Sequence, residues 1–390
     1  MQASFVEVAP QSHFPLQNLP YGVFSTANDP SPRIGVAIGG YILDLRAISK
    51  AGLFKGPLLR DQKTVGCLEQ STLNAFMATG RPTWLEARST IQHLLSVDEP
   101  LLRDNQHLCA EALVLQKTAT MHLPATIGDY TDFFCSKEHA VNCGLMFRGP
   151  ENPLNPNWLH LPVAYHGRAS SIVISGTNVR RPWGQIQPKT SEKTTPPAPI
   201  FQPSSVLDFE LELGCFIGGP GNSLGDPISI NSAVDHMFGF VLLNDWSARD
   251  IQKWELEASI APNTTAASEV ASATAAPSTI TRSNMRTLYW TLPQMIAHHT
   301  AGGCNLRPGD LLGTGTLSTA GDGEQGCLLE LTWSGEKKII LQESGDQVER
   351  TFLEDGDVVT LTGYCQGEGY RIGFGECTGQ ILPARDFKLS

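Results

Sequence analysis

Positive charge is scarce in this chain: 28 Lys and Arg stand against 39 Asp and Glu, a net charge of −11. Such a surface repels a polyanion, which excludes nucleic-acid binding through a bulk basic field. No run of about 18 apolar residues occurs, so no transmembrane helix is expected. Met1 to Tyr21 contain no Lys or Arg and no continuous apolar stretch, a poor fit to a secretory signal. No C-x-x-C pair is found among the nine cysteines, so reduced thiols in a cytoplasmic protein are expected. Lysine is missing between Lys253 and Lys337. What is present is an ordinary globular composition, 41% hydrophobic against 17% charged, which excludes a disordered chain. The 390 residues suit two domains, and 37 glycines with 26 prolines suit strands and turns better than a helical bundle.

Along the chain, Arg33 to Leu45 holds two short apolar runs around Gly39-Gly40, a hairpin signal. Thr83 to Ser96 follows Pro82 and places Trp84, Ala87, Ile91, Leu94 and Leu95 at helical spacing. Residues 1–118 therefore read as a small strand-led domain. Residues 119–390 read as a larger, mainly β domain, with strands expected at Ser171–Ser175, Val206–Ile217, Leu328–Trp333 and Val358–Thr362. Helices are expected at Ala233–Phe240 and Leu288–His299. Ala258 to Thr281 differs from the rest: 19 of its 24 residues are Ala, Ser, Thr or Pro. That composition cannot bury enough apolar surface to offset its ordering entropy, which predicts a loosely held loop.

Three stretches could carry chemistry. Asp208, Glu210 and Glu212 alternate with apolar residues, so a strand would put the acids on one face. A solvated face is the commoner outcome, and a hard-cation site is the functional one. Asp245, Arg249 and Gln252 follow the apolar run Phe238–Leu243. They read either as a cap with surface charges or as an oxygen ligand beside two fixed donors. Asp132 and His139 lie seven residues apart. A lone His is usually structural, and becomes a base when an acid orients it. Glu330, between Leu329 and Leu331, is a candidate for that acid or else an outward residue on an edge strand. Cys304 and Cys327 show no metal-ligand pattern.

These segments taken together resemble the fumarylacetoacetase family. The resemblance runs through Asn18–Ser25, Pro32–Leu45, Asp129–Ala140, Met146–Gly149, Pro156–Pro162 and Tyr165–Ser171. It continues through Asp208–Leu213, Asn244–Trp254, Arg282–Asn284, Cys304–Ser318 and Gly363–Gly375. It implies a mainly β fold with some α: a small N-terminal SH3-like barrel, then a larger mixed β-sandwich domain, in a homodimer. It implies hydrolysis of 4-fumarylacetoacetate to fumarate and acetoacetate in tyrosine and phenylalanine breakdown. By the same resemblance, Asp132, Glu210, Glu212 and Asp245 hold calcium or magnesium. His139 is the base and Glu330 orients it. Arg249 and Gln252 stabilise the oxyanion, while Arg148, Tyr165, Gln252 and Thr316 position the substrate. The partner implied is a small β-diketo acid, with no nucleic acid and no membrane.

The chain departs from the family in three places. Phe134 and Leu256 stand where the family has tyrosines, so two hydroxyls are gone. Beyond Leu256 the family carries a Gly-Lys-Ser-Phe-Gly-Thr-Thr stretch whose lysine belongs to the catalytic machinery. Here the Ala/Ser/Thr-rich segment, residues 257–281, replaces it. The replacement predicts impaired hydrolysis. It also leaves two other readings open: a silent homologue serving as a metal-binding or dimerisation module, and a hydrolase of another β-diketo acid.

Overall fold

Gly39 and Gly40 form a two-residue turn, with Gly39 at φ +53°, a region that favours glycine. The turn joins the strands Arg33–Ile38 and Tyr41–Asp44 in register Ile38 to Tyr41. The computed structural model of the chain describes residues 3–188, 197–257, 271–272, 278–343 and 346–387. The first unit holds β1 (Tyr21–Thr26), β2 (Arg33–Ile38), β3 (Tyr41–Asp44), α1 (Arg81–Leu94), β4 (Leu113–Leu115) and β5 (Ala119–His122). The strands form one antiparallel sheet in the order β4-β3-β2-β1-β5. Its edge strands β4 and β5 do not pair with each other, so the SH3-like barrel expected from the resemblance is an open sheet among the described residues. Ile34, Val36, Ile38, Leu43 and Ile48 are fully buried in one core with Trp84, Ala87, Ile91 and Leu94 of α1. Each Val, Leu or Ile side chain of this set contributes about 1.5–3 kcal/mol by leaving water. Strand β5 lies past residue 118 and pairs with β1, so the N-terminal sheet extends to His122.

The second unit holds β6 (Tyr130–Phe133), α2 (Lys137–Arg148), β7 (Ala164–Gly167), β8 (Leu211–Ile217), β9 (Met237–Asn244), α3 (Arg249–Glu257), β10 (Leu311–Gly313), α4 (Leu328–Leu331), β11 (Asp357–Gln366) and β12 (Arg371–Leu382). A mixed sheet runs β9-β8-β10-β6-β7, parallel only between β10 and β6. The hairpin of β11 and β12 heads a second sheet, flanked by Ala271–Ser272 and Val179–Arg180. The chain is thus mainly β with some α.

Four expected elements take other forms. Leu328–Trp333 is not a strand: Leu328, Leu329 and Glu330 are all buried, without alternation, in the short helix α4. The first N–H groups of α4 are capped by Asp208, which lies 120 residues away and is therefore invisible to local pattern. Ala233–Phe240 gives one 3₁₀ turn, Ala233–His236, because pairing with β8 draws Met237 onward into β9. Ser171–Ser175 forms no strand, and the helix expected at Leu288–His299 runs Leu292–Ala301 behind a Thr291–Gln294 capping box. Of the Ala258–Thr281 segment, residues 258–270 and 273–277 lie outside the described residues. All nine cysteines are free thiols. Among the described residues no helix is long and apolar enough to cross a membrane.

Candidate active site

Asp132 sits on β6 between two neighbours, opposite Gly313 of β10 and opposite Tyr165 of β7. Gly313 is required there: a Cβ would stand 2.9 Å from Glu212 Oε2 and 2.8 Å from the Tyr130 hydroxyl. Just beyond, Gly315 has φ +73° and its Cβ would collide with the Phe133 carbonyl at 2.1 Å. Backbone without side chain thus opens the sheet where the carboxylates converge. Glu212 projects from β8, and Glu210 precedes that strand. The Asp245 N–H donates to the Glu210 carbonyl at 3.2 Å, joining the end of β9 to the start of β8.

As a result Asp132, Glu210, Glu212 and Asp245 present oxygens that all lie within 4.8 Å of one another, and all four residues are buried. The acids that alternate in sequence are therefore not a solvated face. Burial first, and then the charge of Glu210, push Asp132 up to about 7. Burial, with Asp132 and a second neighbouring carboxylate, also drives Glu212 and Asp245 well above the usual carboxylate range. Asp132 Oδ1 and both carboxylate oxygens of Glu212 and of Asp245 have no hydrogen-bond partner. Orphaned buried oxygens in such numbers cost several kcal/mol unless a cation lies between them. An all-oxygen set of this kind fits a hard divalent cation rather than zinc. Glu210 is the one shared with a base: it accepts from Arg249 Nη1 at 2.6 Å.

Beside the carboxylates, Ser136 caps α2 by accepting from the His139 N–H, and its own hydroxyl donates to the Ser318 carbonyl at 2.9 Å. This places His139 in the first turn, buried, with Nδ1 2.6 Å from Glu330 Oε2. Glu330 also accepts from Ser318 Oγ at 2.7 Å and from Asn142 Nδ2 at 2.8 Å. Burial opposes ionisation of Glu330, but the charge and hydrogen bond of His139 outweigh it and hold the carboxyl down at about 2. Burial likewise opposes the charged imidazole, and Cys143 and Glu330 reverse that and raise His139. A third group is Arg249, the first residue of α3. Its Nε donates to Asp208 at 2.8 Å, and its Nη1 reaches Gln252 Oε1 at 3.2 Å as well as Glu210.

Family profiles described as "Fumarylacetoacetase N-terminal" and "Fumarylacetoacetate (FAA) hydrolase C-terminal" match residues 17–124 and 129–382. The chain belongs to the fumarylacetoacetase family. A protein named fumarylacetoacetase from Oryza sativa subsp. japonica is 49% identical over 430 residues, covering 98% of this chain and 97% of the relative. The Homo sapiens protein of that name is 48% identical over 427 residues, at 98% and 99% coverage. Both alignments exceed the 390 residues of the chain, so these relatives carry positions with no counterpart here.

For this member of the fumarylacetoacetase family, a group of hydrolases, the remaining expected site residues fall in different places. Tyr165 bonds Asp132 through its side chain and so belongs to the carboxylate cluster. Thr316 is buried with its hydroxyl unpartnered. Arg148 is exposed at the end of α2 and donates to the Asn152 and Pro153 carbonyls, outside the cluster. Phe134 stacks edge-to-face on His139 with ring centroids 5.2 Å apart. Among the described residues no lysine bonds any of the four carboxylates. Reading by sequence missed Asn142, Ser318, Asp208 as a structural anchor, and the thiols of Cys143 and Cys327. Cys327 lies 3.2 Å from Glu330. Asn142 and Cys143 had one usable signal, their spacing of three and four from His139 on a helix.

Proposed function

We propose that this chain hydrolyses the carbon–carbon bond of 4-fumarylacetoacetate, giving fumarate and acetoacetate, in the cytoplasmic breakdown of tyrosine and phenylalanine. The observation that carries the reading is the meeting of four clustered carboxylates, three of them with orphaned oxygens, with a His139–Glu330 pair in a member of this family. Asp132, Glu210, Glu212 and Asp245 hold calcium or magnesium, which when bound supplies Lewis-acid polarisation of the diketone oxygens. The working assembly is a homodimer whose second unit carries the chemistry.

Each side chain then has a task. Ionised Glu330 can only accept, so Nδ1 of His139 carries a proton, and in the neutral ring Nε2 is free to take one from water. Asn142 and Ser318 hold the carboxylate in place. Arg249 can only donate, so Gln252 must turn Oε1 toward it and leave its amide N–H groups for a substrate oxygen. Arg249 is buried against Asp208 and Glu210 and adds fixed positive charge behind that donor. Thr316 offers a buried, unused hydroxyl to the substrate. Tyr165 and Arg148 complete substrate positioning.

The test is turnover of fumarylacetoacetate by purified protein with added magnesium or calcium, followed as loss of the diketone and formation of fumarate. Products formed in a metal-dependent way support the reading. No turnover above background with either ion would remove it.

A further inference from the structure

Asp208, Glu210 and Glu212 alternate along the chain, and two of the three belong to the carboxylate cluster. Asp208 is fully buried yet stands outside that cluster, and the hydrolytic reading gives it no task of its own. The short pairing of Leu207–Asp208 with Ser247–Ala248 sets Asp208 opposite Ser247, two residues before Arg249. Arg249 therefore meets both Asp208 and Glu210. Its Nε and Nη2 each lie 2.8 Å from Asp208 Oδ2, and its Nη1 donates to Glu210 Oε1 at 2.6 Å. The guanidinium is thus divided, one edge on Asp208 and one nitrogen on Glu210. A planar guanidinium facing a single carboxylate tends to take both of its oxygens. Asp208 is held independently of Arg249: the N–H groups of Phe209, Leu328 and Leu329 donate to it at 2.6, 2.7 and 2.9 Å.

We propose that Asp208 is a positioning residue for the cation site. By holding the Nε edge of Arg249 it keeps the guanidinium from closing on Glu210, so that Glu210 retains an oxygen for a divalent cation. Its charge also offsets the positive charge of Arg249 beside the cluster. Without Asp208 the guanidinium turns onto Glu210 as a two-point pair, and a buried positive charge is left with less to balance it. Both changes act against a bound cation. The same turn draws Nη1 away from Gln252 Oε1, which it reaches at 3.2 Å, and frees that amide to rotate. For this last consequence, on the oxyanion donor, the inference rests on the hydrolase reading. The effect on the cation does not.

The test is calorimetric titration with magnesium of the metal-free full chain, of Asp208→Asn, of Arg249→Met and of the two changes combined, with circular dichroism reporting the fold. Asparagine removes the charge and keeps an oxygen for the α4 N–H groups. Asp208→Asn should weaken magnesium binding roughly ten- to hundredfold, the scale on which partners behind metal ligands act. With Met at position 249 the same change should alter affinity by no more than about twofold, as for independent sites. Arg249→Met alone should bind magnesium more tightly than the unaltered protein, and this arm decides the matter if Asp208→Asn does not fold. Unchanged affinity in Asp208→Asn, an equal loss with and without Arg249, or looser binding by Arg249→Met overturns the proposal. At saturating magnesium, Asp208→Asn should also lower kcat for fumarylacetoacetate with KM nearly unchanged, because the misaimed Gln252 donor acts in the transition state. The expected affinity pattern without turnover by the unaltered protein keeps the role of Asp208 and removes the hydrolase. Turnover with an affinity indifferent to Asp208 keeps the hydrolase and removes that role.

Discussion

Asp208 and Arg249 form an ion pair that neither partner shares with solvent: Arg249 Nε donates to Asp208 Oδ2 at 2.8 Å, and the two side chains are 0% and 6% exposed. The same carboxylate accepts the N–H groups of Leu328 at 2.7 Å and Leu329 at 2.9 Å. Asp208 therefore ties the guanidinium beside the carboxylate cluster to α4, the helix that carries Glu330. Asp208→Ala removes one of the two carboxylates that pair with buried Arg249 and uncaps α4 at once. Its expected cost is about 3–5 kcal/mol of stability, read from chemical denaturation, because the Arg249 charge stays buried with only Glu210 to offset it. A cost within the range of surface substitutions would show that the pair holds nothing together.

Metal binding should release protons. Asp132 is pushed up to about 7, and Glu212 and Asp245 well above the ordinary carboxylate range, through burial and mutual repulsion. A cation displaces those protons, so affinity for magnesium or calcium should rise as pH goes from about 6 to 8. Calorimetric titration in buffers of different ionisation enthalpy counts the protons released. Glu210→Ala should weaken binding by tenfold or more, about 1.4 kcal/mol. The metal-free protein should also lose stability as pH rises from about 4 toward 7, because the unfolded carboxyls ionise first, and saturating metal should cancel that loss. A pH-independent affinity would place the ion elsewhere.

The His139–Glu330 pair predicts a kinetic split and an acid limit. His139→Ala should lower kcat by roughly 10²–10⁴-fold with little change in KM, since the base acts in the transition state. Glu330 has its pKa held at about 2, below the ordinary 4.5. The stability it contributes is thus present above about 4.5 and lost as pH falls toward 2. Glu330→Gln should flatten that part of the pH–stability curve. An unchanged curve would mean that the carboxylate is not ionised in the folded state.

Turnover should be slow. By the sequence resemblance, the family's lysine lies in a block this chain replaces, and loss of one donor to developing charge costs about 2.7–4 kcal/mol, roughly a hundred- to thousandfold in kcat. Phe134 adds a missing hydroxyl beside His139. The measurement is kcat against the human relative, assayed in parallel with the same metal. Equal values would show that another group replaces the lysine. Phe134→Tyr should lower KM if the hydroxyl binds substrate.

Much of this protein was legible in the order of its residues. The hairpin at Gly39-Gly40, the apolar stripe of α1, the acids at Glu210 and Glu212 and the free thiols follow from local chemistry and spacing, which a linear chain displays. The resemblance to a family also lay in the sequence, because long ordered motifs persist where short ones do not. Tertiary structure decided the rest. Whether alternating acids face water or one another depends on which strands flank them, and here the sheet brings Asp132 of β6 and Asp245 after β9 to meet Glu210 and Glu212. Leu328–Leu331 is a helix because Asp208, distant in sequence, caps it. The open N-terminal sheet depends on whether β4 and β5 meet, which no local pattern encodes. The pairing of His139 with Glu330 across 191 residues, and the thiol of Cys143 beside it, arise from packing α2 against α4. Contacts of that separation are set by how buried surfaces fit together, a property of the folded chain and not of any segment within it.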